Sequence, residues 1–177
     1  MDTFGTLNPV PITERLDLLA DPVAKALSAH GTDAALVAEI DPALADTAAL
    51  CEAYGVPLEV SANCVVVAGK RGGEQRAAAC VVLATTRADI NNVVRKLLDV
   101  RKASFLPMAD AVAQTGMEYG GITPIGLPED WPILVDAAVV DLPYAVIGSG
   151  LRRSKIFVPG KVLATWPGAK IVNGLAR

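Results

Sequence analysis

Two runs rich in valine and alanine, CVVVAG at 64–69 and AAACVVLA at 77–84, have KRGGEQ and Arg76 between them. No other feature constrains the fold as much. The paired glycines 72 and 73 allow a tight chain reversal, so the two runs predict a β-hairpin. Around it, strand-like and helix-like segments alternate. Residues 12–29 predict a helix interrupted near Pro22 and stopped at Gly31. Ala34 to Ile40 predict a strand ended by Asp41-Pro42. Asp46 can cap a helix through Tyr54, with Gly55 as its stop. Ile90, Val93, Val94, Leu97 and Leu98 form one apolar face of a helix over 87–98. A shorter helix over 107–114 ends at Gly116. ILVDAAVV, YAVIGSG, SKIFVP and AKIVNG supply later strands, Asp136 being equally suited to cap a helix over AAVV.

With 177 residues and 52% hydrophobic content, the chain suits one domain with a sizeable core. The pattern predicts an α/β fold: a curved, mixed, largely antiparallel sheet flanked by helices, over residues 22–177, with 1–21 as an N-terminal extension. Apolar runs are too short to cross a bilayer, and Met1 to Val10 lacks the features of a leader, so a cytoplasmic location is expected. Cys51, Cys64 and Cys80 have neither C-x-x-C spacing nor an even count, which predicts buried apolar residues rather than disulfides or zinc ligands. His30 stands alone, so no nucleophilic triad, metal or cofactor is expected.

Charge is unevenly spread. Residues 1–60 carry ten acids against Arg15 and Lys25, and the remaining 117 carry fourteen bases and nine acids. The later part can face a polyanion while the earlier part repels it. Arg152, Arg153, Lys155 and Lys70 are the candidates for meeting the phosphates of such a polyanion.

The stretch TGMEYGGITPIGLP at 115–128 places Gly120-Gly121 just before Pro124. Glycines bare the main chain, and fixed N–H groups stabilise the oxyanion of an ester undergoing hydrolysis without a side-chain nucleophile. Gly120, Gly121 and Ile122 are the candidate catalytic backbone donors. Thr123 and Pro124 are expected to line the site, and Gly148, Ser149 and Gly150 to form its opposite side.

The motif VAQTGMEYGGITPIGLP, with its T-G followed by G-x-x-x-P and a later G-S-G, resembles the signature of the YbaK-type aminoacyl-tRNA editing domains. That family includes free-standing Cys-tRNA(Pro) and Ala-tRNA(Pro) deacylases and the editing insertion of prolyl-tRNA synthetases. The resemblance covers residue 22 to the end. It implies a YbaK-like fold, hydrolysis of a mischarged tRNA carrying a small amino acid, tRNA as partner through its acceptor end, a synthetase as a further docking partner, no membrane, and a monomer or homodimer. One departure stands out. Family members carry a lysine at the start of the first hairpin strand, where this chain has Asn63. An amide donates hydrogen bonds but brings no charge. Asn63 is therefore either part of a lysine-free deacylase or the mark of a non-catalytic module that binds aminoacyl-tRNA or a nucleotide.

Overall fold

The computed structural model describes residues 3–31 and 34–177, so Asp2 and Asp33 of the acidic set lie outside the described residues. The elements run β1 (Val10–Pro11), α1 (Asp21–His30), β2 (Leu36–Glu39), α2 (Thr47–Tyr54), β3 (Ala62–Arg71), β4 (Glu74–Leu83), α3 (Arg95–Leu98), β5 (Ala103–Phe105), α4 (Met108–Thr115), β6 (Ile133–Asp136), α5 (Ala137–Val140), β7 (Ala145–Gly148), β8 (Ser154–Val158), α6 (Gly160–Thr165) and β9 (Ala169–Val172). The mixed α/β domain expected from the sequence is formed, and its strands divide between two sheets. One has the order β1-β2-β8-β7 and the other β5-β3-β4-β6-β9. All pairs are antiparallel except β4 with β6 and β6 with β9.

The hairpin forms in register from Ala62 opposite Leu83 to Arg71 opposite Glu74. Gly72 and Gly73 close it at φ +59° and +84°, the left-handed pair that matches strand twist in a two-residue turn. Pro22 falls in the first turn of α1, whose φ it suits, so it starts that helix rather than interrupting one. Residues 12–14 and 16–18 before it form short 3-10 turns. Asp136 ends β6 and caps α5 by accepting a hydrogen bond from the Ala138 amide. The run over 90–94 is a π-helical turn that leads into α3.

The principal core joins Val23 and Leu27 of α1 to Val81, Val135, Ile147 and Ile156 of both sheets. Ile12, Leu18 and Leu19 are also buried in it, and Val10 and Pro11 pair with β2, so part of segment 1–21 packs into the same core. A second cluster sets Phe157 against Leu50, Val56 and Ile40, holding α2 on the outer face of the first sheet. Cys64 is half-buried and Cys80 buried. Burial pushes both thiols up, that of Cys80 to about 12. No helix among the described residues is long and apolar enough to cross a membrane.

This arrangement opens a cleft. β5 pairs with β3 only over Val67–Gly69, leaving the first half of β3 without a strand on that side. β7 approaches the start of β3 through a bridge between Ser61 and Val146. The space between that free edge, the N-terminus of α2 and the loop after α4 is a cavity of about 390 Å³.

Candidate active site

The glycine-rich loop begins where α4 ends at Gly116, whose φ of 68° reverses the chain. Thr115 Oγ1 donates to Ala111 O and accepts from the Met117 amide, and Met117 is buried beneath the loop. The Gly121 amide then closes a turn on Glu118 O at 2.9 Å. Two further bonds tie this loop to the turn after β7: Glu118 N to Gly150 O at 2.9 Å and Gly150 N to Gly121 O at 2.7 Å.

Those bonds explain the glycines. A Cβ on Gly121 would lie 2.8–2.9 Å from the backbone of Leu151, and one on Gly148 would lie 2.8 Å from Ile122 O and 2.9 Å from Gly121 C. The two loops touch main chain to main chain, a distance that no other residue permits. Gly121 was expected to be a pocket wall and a catalytic donor. Its amide is committed to Glu118, and its missing side chain makes room for Leu151 instead of a substrate. Gly120 and Ile122 do line the cavity, and among the described residues their amides donate to no protein acceptor.

Asn63 lines the cavity too. Thr47 at the start of α2 donates its hydroxyl to Asn63 Oδ1 at 2.9 Å. Asn63 Oδ1 thus accepts one hydrogen bond, and the two amide hydrogens donate to no protein acceptor among the described residues. Val66 O accepts from the Leu106 amide, so the backbone groups of Cys64, two residues earlier on the same strand, face the same side and meet the cavity where no strand pairs.

Several expected residues serve the scaffold. Ser149 is fully buried; its hydroxyl can donate to the carbonyl of Leu151 or of Ser154, at 3.0 and 3.2 Å, and accepts from the Ser154 hydroxyl at 2.6 Å. A Cβ on Gly150 would meet Ala20 and Val23. Thr123 and Pro124 are buried under the loop, outside the cavity lining. Thr123 Oγ1 has no hydrogen-bond partner there. Thr123→Val is therefore expected to keep or raise stability, by up to about 1 kcal/mol, because it removes an unpaired buried hydroxyl. A thermal melt checks this, and a clear loss of stability would contradict it.

The basic residues separate. Arg152 braces the loop, its guanidinium donating to Tyr119 O at 3.3 Å and Pro42 O at 3.1 Å while its amide donates to the Glu118 carboxylate at 2.8 Å. Arg153 is bound to Asp17 O in the N-terminal segment. Lys70 stands at the exposed end of the hairpin, on a second groove of about 750 Å³ with Arg101 and Lys102. Lys155 was expected on the surface facing phosphates. Instead it is 8% exposed on the central strand β8, and it lines the cavity. Burial lowers its pKa, and the charge of Arg152 lowers it further, while Asp46 and Cys51 offset part of this. Lys155, a candidate from the sequence for an exposed phosphate contact, thus lines the cavity instead, and Thr47 is a lining residue that the sequence did not reveal. Their place depends on contacts between distant elements.

Comparison with known proteins decides the family. The sequence profile described as "Aminoacyl-tRNA editing domain" matches residues 41–165. The chain belongs to that family. Solved structures agree on the fold. A protein described provisionally as a trans-editing enzyme for prolyl tRNA synthetase superposes with a TM-score of 0.74 at 21% identity, over 87% of this chain and 94% of that one. The hypothetical protein APE2540 gives a TM-score of 0.77 at 18% identity, over 89% of this chain and 100% of that one. A scaffold from a study of epitope backbone grafting gives 0.73 at 22% identity, over 87% and 95%. No curated protein matches the sequence significantly. Among the described residues, no group of three or more His, Cys, Asp or Glu is placed to hold a metal ion.

Proposed function

We propose that this editing domain is an aminoacyl-tRNA deacylase, acting in trans on a tRNA mischarged with a small amino acid. The observation that carries the reading is one cavity lined by Asn63 and by Gly120 and Ile122, whose amides donate to no protein acceptor among the described residues. A volume of about 390 Å³ is at the small end of ligand sites and suits an aminoacyl group with part of its ribose.

In this reading a water oxygen forms a bond to the ester carbonyl carbon, and charge collects on the carbonyl oxygen. The two loop amides and Asn63 stabilise that charge without supplying a nucleophile. The bond from the carbon to the ribose oxygen then breaks. The proton released by the water ends on that oxygen, giving a free amino acid and an intact tRNA. The narrow pocket rejects larger side chains, as in a double sieve. Lys70, Arg101 and Lys102 border a groove that shares Leu106 with the cavity, and they are suited to meet tRNA phosphates beyond the acceptor end. A cytoplasmic location is the expectation that goes with such a substrate.

The test is incubation of the purified protein with a panel of mischarged tRNAs. Hydrolysis above the buffer rate is expected for at least one small aminoacyl group, with a fall of about 100- to 1,000-fold in Asn63→Ala, the scale of one lost oxyanion donor. Buffer rates throughout, from folded protein that still binds a non-hydrolysable aminoacyl-adenosine, would favour a binding module in place of the enzyme.

A further inference from the structure

One wall of the cavity carries a positive charge that the influence of Asp46 offsets only in part. Lys155 is held in the middle of a sheet, between Ala38 of β2 and Gly148 of β7. It is 8% exposed, and no hydrogen bond or ion pair is formed by its ammonium among the described residues. The nearest acidic influence is Asp46, whose side chain is exposed and forms no ion pair with it within 4.0 Å.

Facing it is the N-terminus of α2, a helix of eight residues. Asp46 occupies the capping position but makes no capping bond from its side chain. The first backbone bond of the helix runs from Leu50 N to Asp46 O, so the amides of Thr47, Ala48 and Ala49 precede it without partners. Asp46, Thr47 and Lys155 all line the cavity. Asn63, its oxygen accepting from Thr47, adds further donors to the same space. A lysine ammonium reaching the cavity from a buried strand, a helix start without a side-chain cap and an amide offering hydrogens form a donor-rich surface beside the exposed Asp46 carboxylate. Such a surface is complementary to negatively charged oxygen.

We propose that the end of the cavity between Lys155 and the N-terminus of α2 is an anion subsite, taking a carboxylate or phosphate oxygen of the ligand that fills the pocket. The proposal rests on that cavity being the aminoacyl-tRNA site. Two parts of such a ligand could supply the anion: an acidic side chain on the aminoacyl group, or the phosphate of the terminal nucleotide.

Four non-hydrolysable 3′-amide-linked adenosines distinguish them: alanyl and aspartyl, each with and without a 5′-phosphate, titrated calorimetrically into the wild type and Lys155→Met. In the wild type at least one added negative group should tighten binding tenfold or more, and Lys155→Met should lose that gain while still binding the plain alanyl compound. A gain from aspartate assigns the subsite to the side chain, and a gain from the 5′-phosphate assigns it to the nucleotide. Binding of all four with equal affinity, or a gain that survives in Lys155→Met, overturns the proposal and leaves the pocket reading standing. Binding of none overturns both. A thermal melt of Lys155→Met confirms that the variant is folded, and because no turnover is needed, a catalytically silent protein can still be tested.

Discussion

Gly148→Ala should destabilise the protein by about 2–4 kcal/mol, the upper range for overpacking a site that cannot relax. The reason is what the new methyl meets. Ile122 O and Gly121 C lie 2.8 and 2.9 Å from the position it would take, and both are main-chain atoms tied into the bonds between the two loops. No side chain can rotate away, so one loop must shift. For a domain of this size the loss amounts to a fall in Tm on the order of 10 °C. The displaced loop also carries the amides of Gly120 and Ile122, so deacylation should fall further than stability alone explains. Gly73→Ala is the control: its φ is +84° with nothing within 4 Å, so it should cost only the left-handed backbone strain of about 1–2 kcal/mol. Equal melting temperatures for wild type and Gly148→Ala would show that the loops are not packed as described.

Lys155→Met should do the opposite and stabilise the fold. The substitution keeps a long unbranched side chain at a buried position on β8 and removes an ammonium without a partner. The ammonium lines the open cavity and keeps part of its hydration, so its removal is expected to return up to about 1 kcal/mol, or on the order of 2–4 °C in Tm. The pH dependence has a definite sign. Burial and Arg152 hold the folded-state pKa of Lys155 below its usual 10.5, against the opposing influence of Asp46 and Cys51. The unfolded chain therefore binds more protons between the two values, and stability from this group rises as pH climbs through that window. Below the folded-state pKa the penalty is fully present. The variant's advantage over wild type should thus be largest near neutral pH and shrink as pH approaches 10.5. A residue whose removal strengthens the fold is one that function, rather than packing, accounts for.

Local signals carried much of the architecture. The hairpin was legible because its turn needs two residues with positive φ and the chain supplies Gly72-Gly73. The stops of α1, α2 and α4 were legible because Gly31, Gly55 and Gly116 each take a positive φ where a helix ends. Pro22 was misread, since a proline within an apolar run fits a helix start as well as a break, and only packing of residues 12–19 decides between them.

The site was harder. Lys155 sits in a basic run with Arg152 and Arg153, and nothing local shows that β8 is enclosed by β2 and β7. Thr47 reaches Asn63 across 16 residues, a contact invisible to spacing. Gly121 carried the right motif for a different reason, because the close approach it allows is to Leu151.

Amide resonances test the central claim most directly. The nitrogen-15-labelled protein would be titrated with a 3′-amide-linked alanyl-adenosine, and each backbone signal followed. The account predicts large shifts for the amides of Gly120 and Ile122 and for the side-chain amide of Asn63, with little change at Gly121, whose hydrogen is held by Glu118. Saturable binding that moves signals around Lys70, Arg101 and Lys102 while leaving Gly120, Ile122 and Asn63 unmoved would contradict it.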